Sequence, residues 1–350
     1  MESLSAPVDT LPPAPLVVPL ADDTKAPIKR VDSSATLKRV LSSVKLEDNP
    51  VDGSMPQRRR SSGTLVTEEV GHADTLEYRI QHVELTDSEE KRVLSLWHDL
   101  PLYCTDEYGL RTGSLNFVCE IPRCSRKKYE IATDEPGNPI KQDEKKGQLR
   151  VFKKGDIFFN YGCFPRTWED PDFVHPDVGV GGDNDPLDVC EIGIRIVPTA
   201  EVRQVKILGV LCLIDDGEAD WKIIAIDETD RWAPELNDMD DVERLLPGVI
   251  GTIREWFRTY KVPDGKPENV FGLEERCMPK EYAMHVVAEC HQAWKGLVTQ
   301  QKPAKNLSVV NLKDLVMEAD PSTDAPPQHQ LDAYNAPAGD GDDEDGGIEF

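Results

Sequence analysis

The chain has 350 residues, 39% apolar and 30% charged, enough for one large domain or two smaller ones with a sizeable core. Against 40 Lys and Arg stand 65 Asp and Glu, and the net charge of −25 excludes a general nucleic-acid or anionic-membrane binder, because phosphates would be repelled. The longest apolar run, Ile207–Ile214, is too short to span a bilayer, so transmembrane readings fall away too.

Residues 1–74 hold prolines at 7, 12, 13, 15, 19 and 27, many Ser and Thr, and no sustained periodicity, which predicts a disordered N-terminal extension. Leu16–Leu20 is too short and Pro-interrupted for a signal-peptide core, and Glu2 and Asp9 oppose a transit peptide. A cytoplasmic location is therefore expected. Arg58-Arg59-Arg60-Ser61-Ser62 reads either as a site for a basic-directed kinase or as a solvated basic patch.

From residue 75 the texture changes. Phe117–Ile121, Val205–Ile214 and Lys222–Ile226 predict strands, with Asp215–Trp221 joining the last two as the polar loop of a hairpin. Pro247 suits a helix start, and Val249–Tyr260 places Ile250, Ile253, Trp256 and Phe257 on one face. Lys280–Leu297 repeats that pattern with Tyr282, Val286, Cys290, Trp294 and Leu297. Strands first and helices last predict an α+β domain, or a barrel with helices packed outside, over residues 75–311. Residues 312–350 predict a second disordered tail, since Glu318–Phe350 contains ten acids and no Lys or Arg. The first 74 residues carry eleven acids against nine bases, so the middle of the chain keeps a charge of −13. The eight cysteines form no C-x-x-C pair, which excludes a common zinc site and suggests free thiols in a reducing, intracellular compartment.

The densest chemical signal is Gly181-Gly-Asp183-Asn-Asp185-Pro-Leu-Asp188. In an extended segment Asp183 and Asp185 would face the same way, and Asp188 returns to the same space after Pro186. Three carboxylates at such range repel unless a cation or proton joins them, and oxygen-only ligands suit Mg²⁺ or Mn²⁺ rather than zinc. An acidic surface turn is the bland alternative. A second cluster repeats the device: a hairpin brings Asp215 near Asp220, with Lys222 on the same face as Asp220. Taken alone, this is also an ordinary polar hairpin end. Together the two clusters favour a multi-metal phosphate site, in which cations reverse the local field of an acidic core. Glu120, Lys128, Glu130 and Arg150 sit at strand-like positions, while Tyr161, Tyr260 and Lys261 are individually uninformative.

These segments resemble the soluble inorganic pyrophosphatase family in its longer eukaryotic form. The resemblance rests on Gly182–Asp188, Asn160-Tyr-Gly-Cys-Phe-Pro-Arg-Thr-Trp-Glu-Asp170, Asp215-Asp-Gly-Glu-Ala-Asp-Trp-Lys222 and Phe257–Asn269, and runs in order from about Thr75 to Leu297. It implies a closed, OB-like five-stranded barrel flanked by helices and extra strands. It implies Mg²⁺-dependent hydrolysis of inorganic diphosphate by a metal-activated water, in a protein that is often a homodimer. Asp183, Asp188 and Asp220 would hold the tightest Mg²⁺, Asp188 serving a second ion, with Asp215 and Glu130 around ions that arrive with substrate. Asp185 would orient and deprotonate the attacking water. Lys128, Arg150, Tyr161, Lys222, Tyr260 and Lys261 would grip the diphosphate, and Glu120 would support them in the same cavity.

One departure stands out. The family usually has a second Tyr four positions before the Asn-Tyr-Gly tyrosine, and here that position is Ile157, with Lys153 and Lys154 in a shortened segment before it. Restoring the phenol, Ile157→Tyr, is expected to raise turnover or affinity unless a neighbouring Lys replaces the contact. Two other readings stay open: a catalytically weakened paralogue that binds metal or a partner, and a metal-dependent phosphatase acting on another phosphoanhydride or ester. A chain cut to Gly71–Asn311 is expected to keep its turnover.

Overall fold

The computed structural model describes residues 64–85 and 91–309. The expected tails up to residue 63 and from residue 312, and the Arg58–Ser62 segment, lie outside the described residues. Thr64–Val70 (β1) is a strand paired antiparallel along Arg79–Leu85 (β2). The folded region therefore includes seven residues that the sequence assigned to the N-terminal extension. Leu65-Val-Thr alternates too briefly to stand out beside the polar stretch before it, and it gains its partner only in the tertiary fold.

β2 also pairs with Lys91–Leu94 (β3). After Tyr103–Thr105 (β4) and the long Arg111–Ile121 (β5), Tyr129–Ile131 (β6) and Ile140–Gln142 (β7) complete the first sheet in the order β1-β2-β7-β6. Glu144–Lys145 (β8) and Gln148–Leu149 (β9) make a small ribbon beside it. The second sheet holds β4, β5, Asn160–Cys163 (β10), Asp188–Glu191 (β11), Val202–Asp215 (β12) and Glu218–Asp227 (β13). Val270–Phe271 (β14) and Met278–Pro279 (β15) add to β12. Pairings run from β5 to β10, β11, β13 and β12, and from β12 back to β5 through Val202↔Val118 and Val205↔Leu115. The architecture is mixed α+β.

β12 and β13 are apolar almost throughout because both faces are covered. Val210, Cys212, Trp221, Ile223 and Ala225 join one cluster with Tyr282, Val286, Val287 and Cys290 of helix Lys280–Val298 (α3). Leu211, Leu213, Ile224 and Ile226 join another with Ile250, Ile253, Trp256 and Phe257 of helix Val249–Thr259 (α2). A strand of period two with two buried faces reads as a continuous apolar run. Each such side chain contributes about 1.5–3 kcal/mol by leaving water. Pro247 does not open α2, which starts one residue after Gly248 at φ 82°. Helix Met239–Leu245 (α1) has Asp238 at its N-cap, with acids at 240 and 241 in its first turn, and was not foreseen.

The hairpin between β12 and β13 is tighter than predicted. Asp215 pairs directly with Glu218, leaving only Asp216 (φ 49°) and Gly217 (φ 97°) as the turn. Two central residues with positive φ match the twist of the flanking strands, so the ladder continues through Asp220 and Lys222. Among the described residues no helix is long and apolar enough to cross a membrane.

Candidate active site

The hairpin places Asp220 and Lys222 on one face, and β11 lies parallel to β13 with Asp188 level with Lys222. Lys222 is 2% exposed and bridges Asp188 and Asp220, while its Nζ also donates to the Tyr161 hydroxyl at 2.9 Å. Tyr161 donates to Asp188. It stands on β10 beside Gly162, where a Cβ would lie 1.9 Å from the Val118 carbonyl oxygen; the glycine lets β10 press onto β5.

Asp183 and Asp185 reach this space differently from the expected extended run. Asn184 has φ 75°, and the Asp185 N–H donates to Asp183 Oδ1 at 3.0 Å, so the segment is an Asx-type turn. Both side chains nevertheless line the cavity. At its far end Tyr260 and Lys261, just past α2, hold Asp215: the phenol donates at 2.9 Å and the ammonium forms an ion pair. Lys261 and Lys266 also reach Asp216. On the opposite wall Lys128 pairs with Glu130 and, at 2.8 Å, with Asp143, which also takes Arg150. Glu120 is buried and accepts the Ile131 N–H at 2.7 Å.

All thirteen residues proposed from the sequence line one cavity of about 450 Å³. Its walls carry ten carboxylates against five cations, Lys128, Lys141, Arg150, Lys222 and Lys261. Burial, then the charges of Glu130 and Asp188 opposed by Lys128, pushes Asp185 up to about 7. Burial also drives Asp220 up to about 7 against the pull of Lys222. It raises Asp183 well above the usual carboxylate range, with Asp220 and Asp185 adding to the effect. For Glu120 burial acts first and the Asp188 charge second, again upward. Such acidity penalties are what a divalent cation removes. The donor set is all oxygen, and carboxylate oxygens of Glu169, Asp183 and Asp220 lie within 4.8 Å of one another, so the residues fit a hard divalent ion.

Asp143 and Glu169 were missed as site residues. Asp143 sits in the Lys141-Gln-Asp-Glu stretch that reads as an ordinary polar strand end, and only the fold delivers it between Lys128 and Arg150. Lys153 and Lys154 do not replace a lost phenol. Lys153 pairs with Asp264, and Lys154 donates to the Glu255 and Trp256 carbonyls at the end of α2. Ile157 is 1% exposed and packs in the cluster with Phe152, Phe159 and Trp256 while also forming part of the cavity wall.

Comparison with known proteins decides the family. The inorganic pyrophosphatase family profile matches residues 117–295. The chain belongs to the inorganic pyrophosphatase family. It is 48% identical over 273 residues to the inorganic pyrophosphatase of Schizosaccharomyces pombe, covering 76% of this chain and 91% of that relative. With the Candida albicans inorganic pyrophosphatase it shares 44% over 277 residues, 78% of this chain and 92% of the other. Among solved structures, a recombinant inorganic pyrophosphatase from Trypanosoma brucei brucei superposes with TM-score 0.66 at 42% identity, covering 71% of this chain and 73% of that one. A vacuolar soluble pyrophosphatase of Trypanosoma cruzi, truncated of its N-terminal domain and in complex with PPi, gives TM-score 0.66 at 40% identity, over 75% of this chain and all of that one. The enzymatic activity of this pyrophosphatase-family chain is that of an inorganic diphosphatase.

Proposed function

We propose that the cavity hydrolyses inorganic diphosphate to two phosphates with Mg²⁺ as its cation. The observation that carries this reading is the two-to-one excess of carboxylates over cations in one cavity, with a buried lysine, Lys222, between Asp188 and Asp220 and the other bases paired to acids along the walls. Asp183, Asp188 and Asp220 would hold the tightest ion, Asp188 would also serve a second, and Asp215 and Glu130 would serve ions that come with substrate. When bound, Mg²⁺ supplies neutralisation of phosphoryl oxygens and acidification of the attacking water. Asp185 would accept the proton of the attacking water, from a position on the cavity wall next to Asp183. Lys128, Arg150, Tyr161, Lys222, Tyr260 and Lys261 orient the diphosphate and stabilise the departing phosphate, each first releasing a carboxylate that it now holds. Glu120 supports the wall by fixing the β6 backbone through Ile131.

The cyclic pairing of β5, β10, β11, β13 and β12 supports reading them as the closed OB-like barrel of this family. A cytoplasmic location and a homodimer belong to the same proposal. Eight free thiols, six of them buried, support a reducing compartment, and the mass from sedimentation equilibrium in analytical ultracentrifugation decides the dimer. The deciding test of function is phosphate release from diphosphate by the purified chain with Mg²⁺ and with chelator. Release only with Mg²⁺ is expected. No release at any Mg²⁺ concentration would favour a weakened paralogue, and faster release from sugar phosphates or nucleotides would favour a broader phosphatase.

A further inference from the structure

Glu169 is part of the Asn160–Asp170 motif, and the mechanism above gives it no task. It is 2% exposed and stands behind the Asp183 loop. Its Oε1 accepts the Trp221 N–H at 2.9 Å, but its Oε2 is buried without a hydrogen-bond partner. The other acids of the cluster are engaged. Asp220 is held by Lys222, and Asp183 Oδ1 accepts the Asp185 N–H at 3.0 Å. A buried carboxylate oxygen without a donor is costly to keep, and a cation shared with Asp183 and Asp220 would offset that cost.

The backbone shows how firmly Glu169 is placed. Its N–H donates to the Asp185 carbonyl and its carbonyl accepts from Asn184 N–H, each at 2.9 Å. Gly182 packs against it so closely that a Cβ there would lie 2.4 Å from the Glu169 carbonyl carbon. Ala219 N–H, just before Asp220, donates to the Gly181 carbonyl at 2.8 Å. Glu169, the Asp183 loop and the start of β13 are thus tied into one rigid piece, with an oxygen from each carboxylate within 4.8 Å of the others. Opposite ligands of a Mg²⁺ ion are about 4.2 Å apart, so at most a small closure puts all three around one ion.

We infer that Glu169 is a further ligand of the divalent-cation site formed by Asp183 and Asp220. This rests on the cation-dependent reading of the cavity and adds a residue to it. The test is calorimetric titration of the full-length chain with Mg²⁺ and with Mn²⁺, alongside thermal unfolding with and without Mg²⁺. Glu169→Gln keeps a carbonyl oxygen for the Trp221 N–H but loses the anionic donor. Its Mg²⁺ affinity should fall at least tenfold, its melting temperature without cation should not fall, and the rise on adding Mg²⁺ should shrink. Glu169→Asp keeps the charge but withdraws the oxygen by one methylene, and a tenfold weaker affinity is expected there too, which settles the matter if the Gln variant does not fold. Wild-type affinity in either folded variant, or equal loss of melting temperature with and without Mg²⁺, would overturn the assignment and leave Glu169 a structural acceptor. Absence of Mg²⁺ and Mn²⁺ binding by the wild-type chain would instead overturn the cation reading, and this inference with it.

Discussion

Two buried polar regions of this chain solve opposite problems. Around Trp97, His98, Trp294 and His291 the rings stack and neutral donors meet neutral acceptors: Trp97 Nε1 to Thr167 O at 2.7 Å, Trp294 Nε1 to His98 Nδ1 at 2.9 Å, and His98 Nε2 to Ser308 O at 3.1 Å. Only His291 Nε2 and Ser308 Oγ are left over there. In the cavity, by contrast, ten carboxylates share five cations, and behind its Asp183 wall the Glu169 Oε2 atom has no donor. The first region is nearly satisfied from within and carries no excess of charge of the kind the cavity has. The second is complete only with a ligand, and the contrast separates polar groups kept for stability from those kept for binding.

The largest effect should come from the cavity. Asp185→Asn is expected to lower kcat by about 10²–10⁴ with most Mg²⁺ affinity kept, since it removes a base more than a ligand. Asp188→Asn should weaken Mg²⁺ binding as well. Steady-state rates and calorimetry on both variants check this, and equal loss of affinity would break the division of roles. The matching cut in the aromatic region is Trp294→Ala. Filled with neither ring nor hydrogen bond, the site should cost about 3–5 kcal/mol of stability in urea unfolding while the folded fraction binds Mg²⁺ as before.

Acid should act on the two regions with opposite sign. In the aromatic region burial pushes His98 and His291 down to about 4, against an unfolded value of 6.5, so their contribution is full above pH 6.5 and is lost as pH falls towards 4. Asp185 and Asp220 are raised to about 7, so without cation their penalty is present at neutral pH and is relieved as pH falls below 7. Bound Mg²⁺ removes that relief because protons must then compete with it. Stability measured between pH 7.5 and 4.5 should therefore drop more steeply with Mg²⁺ than with chelator. Parallel curves would show that the cavity acids do not answer to the cation.

Smaller effects sharpen the border between the regions. Ile157 is packed on all but its cavity side, so Ile157→Tyr should overpack the cluster, cost about 1–3 kcal/mol and fail to raise kcat/KM. A tenfold gain in kcat/KM would reinstate the expectation drawn from the sequence. The truncation proposed at Gly71 removes all of β1, so the neutral cut lies further out: residues 60–311 should keep turnover within twofold, and the same assay on 71–311 should reveal the strand by a lower melting temperature.

The sequence showed both helices of the core and the long hairpin because their apolar residues repeat at helical and strand periods. It also pointed to thirteen residues that the fold brings to one cavity, because acids cluster in Gly181–Asp188 and Asp215–Lys222 and the remaining positions follow a family resemblance. It concealed β1, whose short alternation borders a Ser- and Pro-rich stretch, and α1, whose seven residues give less than two turns of pattern. Asp143 and Glu169 were invisible for another reason. Each is one acid among many, distinguished only by which residues the fold brings to it, Lys128 and Arg150 in one case and Asp183 and Asp220 in the other.

The return of β12 to β5 joins residues 202–205 to 115–118, across more than eighty positions of chain. Contacts this distant in sequence carry a high loop-closure cost before they yield any stabilisation, and they slow folding. Glu120 lies on one of the two strands and Asp215 on the other, so the two ends of the catalytic cavity meet only when this last seam forms. Hydrolysis should accordingly be the final property to return during refolding, lagging behind tryptophan burial and secondary structure, and its time course is a clock for the seam.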